Sequence, residues 1–189
     1  IVLSATTFIF LTFPVSQIWW YRLLVAVDAS QDVRYWMYEG PGGAMLGWLP
    51  AALTCIAVGK VVFRMPLKEQ WGGRLRMSLI DLKLGLPIGV IFALLIVISV
   101  KLAGLPVSWQ FSAREPFANC FSNLYEEIIC RGLLLQLTIK YLGKIPAIIW
   151  TSIVFGLMHG LNEKGLFTGF LAWAFAWAVL RTKSLWCSW

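Results

Sequence analysis

The sequence predicts an all-α fold, a polytopic membrane helical bundle of about six to seven transmembrane helices. Three observations predict it. Of the 189 residues, 59% are hydrophobic and only 13% are charged, about half the charge density of an ordinary soluble domain. The apolar residues gather in runs long enough to cross a bilayer. The 11 Trp residues include many that flank those runs, as interfacial anchors do. A soluble all-helical core would need far more polar surface than this chain supplies.

The runs read, in order, as Ile1 to Val27, Ala44 to Phe63, Leu84 to Leu102, Phe117 to Leu142, Ile145 to Leu161 and Leu166 to Leu180, with a seventh just beginning at Leu185. Helices follow because a helix satisfies its backbone polar groups within the segment. The chain opens on Ile1 inside an apolar run and stops at Trp189 in mid-pattern, so both ends are expected to be trimmed. The connectors are too short for a second domain and no repeat is visible, which leaves one membrane domain over 1–189.

Charge sorts the loops. Asp28 to Gly43 carries Asp28, Asp32, Arg34 and Glu39, net −2, whereas Lys60 to Lys83 is net +4. Lys140 with Lys144, and Arg181 with Lys183, return on the side of that basic loop. Positive charge collects on the cytoplasmic side, so 60–83, 140–144 and 181–183 are predicted cytoplasmic and 162–165 opposite. The basic stretch, with Trp71, Leu75 and Leu79, also suits an anionic lipid surface. The expected partner is the lipid bilayer. No motif points to nucleic acid. Cys55, Cys120, Cys130 and Cys187 share no CxxC spacing and fall in or beside apolar segments, so they read as small buried hydrophobes.

The fourth span is the least apolar, and "NLYEEIICRG" from Asn123 to Gly132 places three charges in it. Each costs about 2.5–3.5 kcal/mol at a helix centre on insertion scales. Glu127 and Arg131, four apart, can pair along one face. Glu126 lies about 100° around the helix and is left to face protein, water or a substrate. The only histidine of the chain, His159, ends the fifth span. Glu126 is seventeen residues from the turn near Gly143 and His159 sixteen, so at 1.5 Å per residue both lie roughly 24–26 Å from it. An antiparallel hairpin brings them to one depth. Phe155, one turn before His159, packs on its face.

Hydrolysis suits this set. A desolvated carboxylate is a stronger base toward water, and an imidazole can donate to a developing oxyanion. A buried ion pair that only locks helices, or a proton or ion pathway, is the other reading of the same charges. One histidine with no second ligand nearby does not support a zinc site. Glu163, four residues after His159, falls in a short loop.

The pattern resembles the CAAX protease and bacteriocin-processing (Abi) family of intramembrane proteases. Its EExxxR motif is met by Glu126, Glu127 and Arg131, and its FxxxH motif by Phe155 and His159. Gly169 to Trp186 is similar to the glycine- and aromatic-rich helix ending in a "TGSLW"-like turn, with Lys183 in place of the usual Gly. The resemblance covers about Asn119 to Trp186. It implies a glutamate-dependent peptidase in which Glu126 activates water, Glu127 and Arg131 hold the helix and tune that carboxylate, and His159 stabilises the oxyanion. Prenylated C-terminal tails and leader-type peptides are the implied substrates. No cofactor is assigned and metal dependence is left open.

The family's last motif, a second His followed by Asn, is expected after the "SLW" turn, past Trp189. A member lacking it would be a non-catalytic accessory or structural subunit of a larger membrane complex, in which His159 is free to ligate a cofactor. A small carrier using the intramembrane acids ranks third, because such carriers often show internal repeats.

Overall fold

The computed structural model describes residues 1–9, 22, 25–26, 30, 49–102, 104 and 122–188. Among them every regular element is helical. In chain order these are α1 (Leu49–Val61), a short α2 (Leu67–Gln70), α3 (Leu79–Leu102), a π-helical segment (Ile128–Leu134), α4 (Leu135–Leu142), α5 (Lys144–Met158), α6 (Glu163–Thr182) and a 3₁₀ turn (Leu185–Cys187). Residues 2–9 are helical, and helical residues 122–127 run directly into the π segment.

Local chemistry sets the breaks. Gly143 adopts φ +89°, a region glycine enters without steric cost, and there α4 turns back into α5. Asn162 caps α6, its side chain accepting from the Gly165 N–H at 3.0 Å, the arrangement a helix N-terminus favours. Helix α6 therefore starts at Glu163, three residues before the apolar run suggested, and Glu163 is helical rather than in a loop. At the other end Lys183 takes the left-handed conformation, φ 56°. The chain then enters the 3₁₀ turn, where the Ser184 hydroxyl accepts from the Trp186 N–H. The stretch expected to begin a seventh span at Leu185 instead folds back against α3. It comes so close to Gly85 that an added Cβ there would collide with the Cys187 carbonyl.

Helices α5 and α6 form the tightest pair. An added Cβ on Gly156 would meet the Gly165 carbonyl at 2.7 Å and Gly169 Cα at 3.2 Å. Small residues on both helices let the backbones approach, the contact that apolar surroundings reward. Helix α4 packs antiparallel on α5, and the π segment is enclosed by α1, α2, α5 and the 3₁₀ turn. Tyr125, Ile129, Leu133, Leu134 and Leu137 are buried in that centre. Residues 2–9 join it through Ala5 and Ile9, both fully buried, and through Trp150 Nε1 donating to Thr6 Oγ1 at 3.2 Å. Cys55, Cys130 and Cys187 are buried free thiols. Cys120 lies outside the described residues.

Two described helices are long and apolar enough to cross a membrane: α3, 24 residues with mean hydropathy 2.4, and α6, 20 residues with mean hydropathy 1.3. The shorter apolar helices Ala51–Val61 and Lys144–Met158 fall short of the roughly 20 residues a bilayer core requires. The described residues thus carry two candidate spans of full length, and the count of six to seven is not confirmed among them. Most of the first predicted span, the start of the second and fourth (44–48 and 117–121) and the acidic loop 28–43 lie outside them. Helix α3 differs from the core helix of a soluble protein, because only 6% of its most apolar window is buried. Leu86, Val90, Leu94 and Ile98 are about half exposed or more, a surface suited to lipid rather than water.

Candidate active site

The candidate residues of the first motif lie at a π-helical segment, Arg131 within it and Glu126 and Glu127 just before it. Widening a helix to i→i+5 hydrogen bonding is rare and is frequently found at functional sites. Here it spans Ile128–Leu134, directly after the two glutamates. The Leu135 N–H bonds to the Cys130 carbonyl, and Gln136 Nε2 donates to the Arg131 carbonyl at 3.2 Å. Gly132 permits the wide turn to sit against α2, since an added Cβ would meet the Gln70 carbonyl at 2.7 Å. A 3.6-residue reading of EExxxR does not anticipate this turn. Widening between 128 and 131 carries Arg131 toward the face of Glu126 while keeping it in reach of Glu127.

Arg131 is the centre of the cluster. Its side chain is 1% exposed, and Nη1 stands 3.0 Å from Glu127 Oε1, itself 5% exposed. The guanidinium lies over the Phe155 ring, 4.2 Å to the centroid, and 5.7 Å from that of Phe175. A cation over an aromatic face in a dry site gains about 2 kcal/mol, which offsets part of the desolvation. Hydrogen bonding supplies little of the rest. Neither Nη1 nor Nη2 of Arg131, nor Oε2 of Glu127, has a hydrogen-bond partner among the described residues.

Phe155 passes the stack to His159. Their rings lie 4.7 Å apart, and His159 Nδ1 lies 2.9 Å from the Phe155 carbonyl. A carbonyl only accepts, so Nδ1 carries the proton in that bond. The neutral ring then presents Nε2 as an acceptor, and only the doubly protonated ring can donate from Nε2. In neutral form His159 therefore does not offer the Nε2 donor that the expected oxyanion role requires.

The hairpin register bears on Glu126. Across it, Cys130 Sγ meets Met158 Sδ at 3.8 Å and Arg131 meets Phe155. Carrying that register back along the first helix brings Glu126 level with about residues 160–162, beside His159, as antiparallel helices of equal rise require. Glu126 is partly exposed and has no hydrogen bond or ion pair among the described residues. The cations whose fields reach it are Arg131 and Lys164. Lys164, exposed in the first turn of α6, was not among the site residues expected from sequence. Its signal was only its place five residues after His159.

Beside His159 a cavity of about 790 Å³ runs along the α5–α6 seam, lined among others by Ser152, Gly156, Gly160, Asn162, Phe170 and Trp173. Its wall is almost wholly apolar. Among the described residues no three His, Cys, Asp or Glu side chains gather where a metal ion could be held.

Residues 108–189 match the family model described as type II CAAX prenyl endopeptidase, Rce1-like. That is the CAAX protease family the two motifs resemble, and the matched segment contains the π segment, the Glu127–Arg131 pair and His159. No curated protein and no solved structure matches the chain.

Proposed function

We propose that the protein is an intramembrane endopeptidase of the CAAX type, a single multi-pass membrane domain that cleaves a peptide or prenylated protein tail. The observation that carries this reading is the division of labour between two adjacent glutamates. Glu127 is spent on Arg131, while Glu126 has no ion pair among the described residues and is partly exposed, at the depth that the hairpin register gives His159.

In this reading Glu126 takes a proton from the attacking water, and the neutral His159 orients that water by accepting through Nε2. The proton gained by Glu126 passes to the leaving amine, as general acid–base catalysis requires. Arg131 and Glu127 are positioning residues, and the π turn aims Glu126. The apolar seam that ends at Gly160 supports an apolar substrate chain lying beside the scissile bond. The basic ends of α1, α4 and α6 support a cytoplasmic placement of loops 60–83, 140–144 and 181–183.

The test is cleavage of a farnesylated peptide by the full protein in detergent or vesicles. Glu126→Gln is expected to lower kcat by about 10²–10⁴ with the thermal midpoint unchanged. Parental turnover by that variant overturns the assignment of the base.

A further inference from the structure

The end of the bundle opposite Glu126 and His159 carries a surface that the peptidase reading does not use. Arg64, Lys68, Arg76 and Lys83 come from the stretch linking α1 to α3, and Arg181 and Lys183 from the end of α6. All six are exposed. Two acids lie among them in sequence, and one is occupied: Asp81 is buried and takes Arg74 on both oxygens at 2.8 Å. Glu69 is the remaining acid of 60–83.

This is a built surface rather than a solvated charge run. Trp186 Nε1 donates to the Leu75 carbonyl at 2.7 Å, and the Trp71 and Trp186 rings lie 5.9 Å apart. An added Cβ on Gly73 would sit 3.4 Å from Lys183 Cβ, so the left-handed turn lays Lys183 against the loop. The Asp81 carboxylate also takes the Ser78 N–H at 2.7 Å, pinning the loop to the start of α3. Interleaved with the cations are exposed apolar side chains, Leu67 at 41%, Leu75 at 44%, Met77 at 50% and Leu79 at 74%. Exposed cations and apolar side chains interleaved on one loop, leading into an apolar 24-residue helix, are the composition of a surface that enters a headgroup layer.

We propose that the loop between α1 and α3, joined to the α6–3₁₀ turn, is a docking surface for anionic phospholipid headgroups. Charge complementarity names the occupant: the surface offers several cations and almost no free acid, and Leu75, Met77 and Leu79 supply the apolar contact that a soluble anion does not use. The inference rests on the chain being embedded in a bilayer and not on its being a peptidase.

The test uses the full chain purified in a non-ionic detergent. Its thermal midpoint is followed while dioleoylphosphatidylglycerol or dioleoylphosphatidylcholine is titrated in, at 0.1 M and 1 M salt. The expected result is a rise with the anionic lipid alone, largely lost at 1 M salt, where screening acts within about 3 Å. Lys68→Gln and Arg76→Gln are each expected to weaken the half-maximal lipid concentration about five-fold, and the triple variant with Lys183→Gln roughly a hundred-fold. Lys164→Gln, at the other end, is expected to leave it unchanged. The single variants keep the test readable if the triple variant does not fold. Equal shifts with both lipids, an unchanged response in the single variants, or an equal shift with a polyaspartate peptide overturns the proposal. The last outcome makes the surface a protein-docking site.

Discussion

The molecule contains two arginine–carboxylate pairs built to different standards. In the Arg74–Asp81 pair both carboxylate oxygens are engaged, with Ser78 adding its backbone N–H and its hydroxyl at 3.2 Å. The arginine keeps 34% of its side chain exposed, so part of it remains hydrated. The Glu127–Arg131 pair is dry on both sides, makes one close approach, and leaves Glu127 Oε2 and both terminal guanidinium nitrogens without hydrogen bonds among the described residues. Desolvation of a buried pair exceeds its Coulombic gain unless the remaining donors and acceptors are satisfied. The first pair fastens a loop. The second leaves polar capacity unused among the described residues, which suits the catalytic reading proposed above.

That difference can be broken open by mutation. Arg131→Met removes one partner of the dry pair and leaves a buried, uncompensated Glu127, and is expected to destabilise the protein by about 3–5 kcal/mol. Adding Glu127→Leu to Arg131→Met should recover most of that loss while cleavage stays absent. Unfolding in mixed detergent micelles reads the first quantity and the peptide assay the second. A double variant as unstable as the single one would place Arg131 in the fold rather than in the site.

Gly156→Ala separates packing from charge. It touches neither pair, yet its Cβ meets the Gly165 backbone, and overpacking of this kind costs about 1–3 kcal/mol. The same unfolding measurement checks it, and a neutral outcome would mean that the α5–α6 seam yields easily.

A smaller effect than that of Arg131→Met is expected at the loop pair. Arg74→Gln should cost about 1–3 kcal/mol, because Ser78 keeps Oδ2 of the buried Asp81 satisfied and only Oδ1 loses its partner. Repeating it at 1 M salt should shrink the difference further. A loss as large as that of Arg131→Met would erase the contrast between the two pairs.

Much of the site was legible in the sequence. Glu127 and Arg131 are four residues apart, and Phe155 precedes His159 by one turn. Local helical geometry alone brings such residues onto one face, and the structure pairs Glu127 with Arg131 and stacks Phe155 on His159. The span count was less legible. Hydropathy registers an apolar run but not where Gly143, Asn162 or Lys183 ends a helix, so Lys144–Met158 came out shorter than its run and Glu163–Thr182 longer.

Composition and local spacing thus determined the helical class, the lipid-suited surface and the candidate site residues, since each depends on side chains near one another in sequence. Only the tertiary structure decided that the candidate-site helix widens into a π turn and that Arg131 stacks on Phe155. It also decided that Arg74 stays partly hydrated and Arg131 is dry. Those outcomes depend on what packs around a residue: Gly132 yields to the Gln70 carbonyl, and Arg131 is dry because α1, α2, α5 and the 3₁₀ turn close over the segment that carries it.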